Sequence, residues 1–205
     1  MKLTATMFLS LDGVYQGPGG PDEDRSGGFT RGGWVVPYFE ERTGAFVDEV
    51  FGRVDAFLIG RRTYDIFAGS WGKMADPGDD PVAVAFNTLP KYVPSTTLTD
   101  PGWAGTTVLS DDVAAAVREL KARPGRELQV HGSGELVRWL LAEELLDELH
   151  LLVFPVVLGA GRRLFPAEGA DLALELTGSR TTPRGVTILS YRTAGRPEYG
   201  TIEVE

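Results

Sequence analysis

The chain has 205 residues, 42% of them apolar, with a formal net charge of −9 and a pI near 4.8. That length and apolar share suit one domain with a full core, and the acidic balance argues against nucleic acid or an anionic membrane as partner, since both need a basic face. With no cysteine and two histidines far apart in sequence, His131 and His150, disulfides and thiolate sites are excluded and no metal centre is expected. Met1 to Ala5 reads as a strand rather than a signal peptide, and no apolar run reaches about 18 residues, so the expected compartment is the cytoplasm.

In chain order, Leu3 to Leu11 reads as a strand with apolar residues on both faces, as a buried central strand requires, closed by Asp12-Gly13. Gln16 to Gly33 is glycine-rich and too polar for a core; ordered loops of this length act as lids. Pro37 suits a first helical position, and Phe39, Phe46, Val47, Val50 and Phe51 follow at helical spacing as far as Gly52. Val54 to Ile59 is a second strand. It runs into Gly60-Arg61-Arg62-Thr63-Tyr64, where a further helix starts. Strand, glycine, arginine and helix start together form a phosphate-handling arrangement. The glycine admits close backbone approach, the helix start offers N–H groups, and arginine adds a charged fork.

After a turn-rich link, Asp80 caps a helix over Pro81 to Leu89. Lys91 to Val93 and Thr106 to Leu109 are short strands. Ser110-Asp111-Asp112 opens a helix that ends at Pro124-Gly125. Leu128 to His131 is a strand feeding Gly132-Ser133-Gly134, a second glycine turn into a helix whose apolar face carries Leu136, Val137, Leu140 and Leu141. This turn lacks the third glycine of a dinucleotide fingerprint. Leu149 to Leu158 is the longest apolar strand, closed by Gly159-Ala160-Gly161. Leu172 to Ser179 and Gly185 to Tyr191 form a hairpin. The pattern predicts an α/β fold, mostly parallel sheet with helices on both faces and an antiparallel C-terminal hairpin. Residues 1–193 form its single domain, and 194–205 are an extension in which Thr201 to Val204 suit an edge strand.

Five segments occur in order between residues 3 and 192. They are Ser10-Leu11-Asp12-Gly13, Gly60 to Tyr64, Asn87-Thr88-Leu89-Pro90-Lys91-Tyr92-Val93, Gly132-Ser133-Gly134-Glu135, and Asp147-Glu148-Leu149-His150 running to Gly159. Together they resemble the dihydrofolate reductase-like superfamily, and more closely the reductase domain of the bifunctional riboflavin-biosynthesis deaminase-reductases. The zinc signature of the deaminase half is absent. The resemblance implies a homodimeric reductase using NADPH on a pyrimidine- or pterin-like substrate, such as a phosphoribosylamino-uracil. It implies that Gly60, Arg61, Arg62 and Thr63 hold cofactor phosphates and that Gly132, Ser133, Gly134 and Glu135 hold the pyrophosphate. Ser95 would sit near the ribose 2′-phosphate and Ser110 beside the adenine. Thr96 stands where related proteins often carry arginine, so NADH stays open.

For the chemistry, Asp12 at the end of the central strand is the candidate acid or substrate anchor. Glu40, Glu41 and Asp48 are weaker candidates on the following helix. Trp34, Phe39 and Tyr64 offer aromatic faces for a planar ring, with Leu158 and Gly159 bordering it. A phosphorylated substrate would call on Arg162, Arg163 or Lys73. Two rival readings are dihydrofolate reduction and a non-catalytic nucleotide- or pterin-binding protein.

Overall fold

The computed structural model describes residues 1–74 and 76–202. Eight strands form one sheet in the order β4-β3-β2-β5-β1-β6-β8-β7. They are β1 Lys2–Ser10, β2 Val54–Leu58, β3 Lys91–Pro94, β4 Thr106–Leu109, β5 Glu127–His131, β6 Glu148–Phe154, β7 Leu174–Thr181 and β8 Thr187–Thr193. From β4 to β6 every pairing is parallel; β8 runs antiparallel to both β6 and β7. The fold class read from the sequence therefore stands.

Among the described residues five α-helices cover the sheet: α1 Glu41–Phe51, α2 Arg61–Gly69, α3 Pro81–Thr88, α4 Val113–Ala122 and α5 Gly134–Ala142. β1 alternates across the sheet because side chains of a strand point to opposite faces in turn. Leu3, Ala5, Met7 and Leu9 join Val117 and Leu120 of α4 and Val137 and Leu140 of α5 in one core. On the opposite face Phe46 and Val50 of α1 pack on Leu152 and Phe154, and Phe51 meets Phe57 and Phe86.

Four expectations change. The helix predicted from Pro37 breaks: Val36–Tyr38 is a 3-10 turn, Phe39 and Glu40 are extended, and α1 starts at Glu41. Phe39 leaves the helix to pack towards Phe8, ring centroids 6.4 Å apart. β6 ends at Phe154, not Leu158, because Pro155 has no N–H to continue the ladder and Val156 N donates back to Phe154 O at 2.8 Å. The 16–33 loop is not uniformly polar and surface-lying: Phe29 and Gln16 are buried, and Gln16 ties Asp24 O, Ser26 O and Arg162 N together. In the extension, Ala194 N donates to Ala173 O, while Thr201 and Ile202 carry no strand; Glu203 and Val204 lie outside the described residues.

Candidate functional site

β2 and β5 are neighbours and parallel, so the turns that follow them emerge side by side on one rim of the sheet. They touch. Gly60 N donates to Ser133 Oγ at 3.0 Å. A Cβ on Gly60 would stand 3.2 Å from Ser133, and one on Gly134 would overlap the Tyr15 ring at 2.4 Å. At Gly134 only glycine permits the approach, while at Gly60 a side chain would push Ser133 back by a few tenths of an ångström. Ser133 itself holds a left-handed backbone, φ 57°, an uncommon state for a non-glycine residue that its bond to Gly60 helps fix.

Neither α2 nor α5 has a side-chain cap, so the first-turn N–H groups of two adjacent helices are left without a capping acceptor among the described residues. Between them and α1 opens a cleft of about 2430 Å³, lined by Gly60 to Thr63, Gly132 to Glu135, Phe39, Asp48, Thr6 and His131 among others. That exceeds the ~300–1,000 Å³ of a cavity for one drug-sized molecule, leaving room for two ligands.

Charge at the rim is already partly paired. Arg61 Nε bonds Asp65 at 3.0 Å, and its Nη1 reaches Thr97 Oγ1 at 3.3 Å. Arg62 faces Asp24 of the 16–33 loop at 3.7 Å. Asp24 also pairs with Arg162. Burial pushes the Asp24 carboxyl up, but Ser26, Arg162 and Arg62 outweigh it and hold it below its ordinary value. Ser95 follows β3 and accepts from Thr97 N and Leu98 N at 3.2 and 3.0 Å; Thr96 beside it is exposed. Ser110 follows β4, exposed, next to Asp111 and Asp112, which line the cleft.

Several candidates are placed elsewhere. Asp12 is fastened rather than free. Its Oδ1 accepts from Ser10 Oγ at 2.7 Å and Leu158 N at 3.0 Å, and its Oδ2 from Gly159 N at 2.8 Å and Arg163 Nη2 at 3.1 Å. Burial raises its pKa, but these bonds prevail and hold it well below the usual carboxylate range. A carboxylate so held carries no proton to donate, so the geometry makes Asp12 a fastener of the turn. Leu158 and Gly159 supply that fastening through their N–H groups. Trp34 is buried, its Nε1 donating to Gln16 O at 2.9 Å, and Tyr64 is buried with its hydroxyl accepting from Trp103 N at 3.3 Å. Both rings are core; of the three aromatics Phe39 alone lines the cleft.

Of the carboxylates near α1, Asp48 lines the cleft; Glu41 lies outside it, and Glu40 has a buried oxygen without a partner. Arg163 is committed to Asp12, and Arg162 to Asp24 and Ser26.

His131, at a strand end where it could touch cofactor, belongs to a polar face of β5 that the sequence reading did not otherwise single out. Glu127, Gln129 and His131 alternate with Leu128 and Val130 in a central parallel strand, and all but His131 are buried. Such strands normally read as continuous apolar runs, so the alternation Glu-Leu-Gln-Val-His was the available signal.

An open, mostly parallel α/β sheet with paired glycine turns on one rim and an antiparallel C-terminal hairpin defines a dihydrofolate reductase-like fold. The chain belongs to the RibD C-terminal domain family, whose model matches residues 1–188. It is 25% identical over 203 residues to the uncharacterized protein YyaP of Bacillus subtilis (strain 168), covering 95% of this chain and 96% of that one. Among solved structures it resembles a protein of Shewanella sp. PV-4 named for riboflavin biosynthesis, with TM-score 0.71 and 23% identity over 95% of this chain and 99% of that one. It also resembles a deaminase/reductase of Thermotoga maritima acting on phosphoribosylamino-pyrimidines, with TM-score 0.63 and 12% identity, covering 94% of this chain and 56% of that one.

Proposed function

We propose that this chain is a reductase that takes hydride from a nicotinamide dinucleotide, NADPH or NADH, and delivers it to a small planar heterocycle in the same cleft. One observation carries the reading: two uncapped helix starts meet through the 3.0 Å bond between Gly60 N and Ser133 Oγ. Paired donor sets of this kind suit the two phosphates of a diphosphate bridge. Arg62 and Thr63 would add a cation and a hydroxyl, and Ser95, Thr96 and Ser110 would lie along the adenosine end. The dinucleotide supplies the hydride; the protein orients both rings and excludes water. Asp48, a carboxyl on the α1 side of the cleft, would assist protonation.

Because Arg162 and Arg163 are already paired within the chain, an unphosphorylated pyrimidine- or pterin-like ring suits the cleft better than a phosphoribosylamino-uracil. The reading also extends to a homodimer through the terminal hairpin. Edge strand β7 is exposed along nearly its whole length, with Leu176 52% exposed. Light scattering on the purified chain should give twice the chain mass; a monomer refutes that part.

The decisive measurement is titration of NADPH and NADH against fluorescence of the four tryptophans, two of which, Trp71 and Trp139, line the cleft. Saturable quenching in the micromolar range is expected, followed by loss of NADPH absorbance with a planar acceptor, dihydrofolate included in the panel. Binding without turnover would favour a non-catalytic binder. No binding at millimolar cofactor would sink both.

A further inference from the structure

Among the cleft residues to which the proposed reduction gives no role is His131. On the polar face of β5, Arg53 Nε donates to Glu127 Oε1 at 2.7 Å. Gln129 Nε2 donates to Glu127 Oε2 at 2.7 Å and to Val50 O at 2.8 Å. Both partners are acceptors, so the nitrogen of the amide must stand on that side and its oxygen on the other. That oxygen lies 2.9 Å from His131 Nε2. An amide oxygen only accepts, and therefore His131 Nε2 carries a hydrogen.

The ring stacks on Phe51, centroids 4.5 Å apart and planes 29° apart, and meets Phe57 and Phe86 by their edges. Burial pushes its pKa down to about 3, with a smaller push from His150. Glu127 reaches the ring only indirectly, through Gln129. A neutral imidazole with hydrogen on Nε2 presents Nδ1 as a bare acceptor. No group among the described residues bonds Nδ1, the nitrogen is not a sealed orphan, and the residue lines the cleft next to Thr6, its partner in register on β1.

We propose that His131 is a substrate-binding residue whose Nδ1 accepts a hydrogen bond from a ring N–H of the heterocycle, with Gln129 as the positioning residue that sets its tautomer. This deepens the reductase reading by naming the ligand chemistry: a lactam or amidine bearing N–H, not its N-alkylated analogue. A donor-bearing ring satisfies Nδ1, whereas an alkylated one leaves a desolvated acceptor unpaired.

The test is long-range proton–nitrogen spectroscopy on the whole chain carrying isotope-labelled histidine. The two histidines are assigned with His131→Phe. From mildly acidic to mildly alkaline pH, His131 should remain neutral with hydrogen on Nε2. Isocytosine should shift its Nδ1 resonance and fully N-methylated isocytosine should not. His131→Phe should weaken isocytosine about tenfold and leave the methylated probe unchanged. In Gln129→Leu the single tautomer should give way to a mixture; where that variant fails to fold, the wild-type spectrum still decides. A ring that titrates like a free histidine, hydrogen on Nδ1, equal binding of both probes, or no binding of isocytosine overturns the proposal. NADPH titration of the same sample reports separately on the glycine turns, so loss of this inference and loss of the reductase reading give different results.

Discussion

Helices α3 and α4 bond their first-turn N–H groups to their own chain, whereas α2 and α5 leave theirs to whatever enters the cleft. Asp80 Oδ1 accepts from Val82 N and Ala83 N at 2.9 and 3.1 Å, and Asp112 Oδ1 from Ala115 N at 2.9 Å. The corresponding positions of α2 and α5 are Gly60 and Ser133, and the one available hydroxyl is turned to Gly60 instead. Forgoing a cap costs about 1 kcal/mol per helix. Helix α1 also lacks a side-chain cap, so what sets α2 and α5 apart is that their two uncapped starts meet at one rim. The strand-end turn at Asp12 makes the same point from the other side. It looks equally site-like in sequence, yet all its carboxylate contacts are internal.

The comparison breaks most sharply if a cap is installed in the open pair. Gly60→Asp places a carboxylate among the free N–H groups and against Ser133. NADPH affinity should fall about a hundredfold, read by tryptophan quenching, because a charged competitor occupies the phosphate position. Unchanged affinity would remove α2 from the site.

The next effect is on stability. Asp12→Ala strips two backbone N–H groups and Arg163 of their acceptor and should cost about 2–4 kcal/mol in urea unfolding. The pH dependence follows from the sign of the shift. Asp12 is held below its unfolded value of 3.8, so its contribution is fully present above that pH and is lost as pH falls below it. Asp12→Asn should flatten this acid limb of the stability profile. A variant that keeps its stability but loses turnover would return Asp12 to the chemistry.

The smallest expected effect sharpens the contrast. Asp80→Ala opens a cap on the closed pair and should cost about 1 kcal/mol of stability. NADPH affinity should move by less than about threefold, since binding is not assigned to α3. The start of α3 also lines the cleft, so a larger loss of affinity would mean that the cofactor touches it directly.

Much of the fold was legible because it is written in local patterns. Period-two and helical apolar spacing located all eight strands and the five helices, and Gly60 and Gly132 to Gly134 stood out because close approach demands glycine. Boundaries failed where long-range contacts decide them. Phe39 matched the helix period but is drawn towards Phe8, and Val156 to Leu158 matched a strand but follow a proline turned towards Asp12. Trp34 and Tyr64 are aromatic in any reading; burial in the core rather than exposure to the cleft depends on partners such as Gln16 and Trp103.

By itself, the order of residues marked the two strand–glycine–helix turns and excluded any thiol. Only the tertiary structure decided that Gly60 and Ser133, 73 residues apart, share a bond, because strand order in a parallel sheet is set by crossovers rather than by succession along the chain. The same packing decided that Asp12 is fastened and that Gln129 meets the His131 ring. A polar atom's role rests on whether folding supplies its partner, and that partner is seldom a neighbour in sequence.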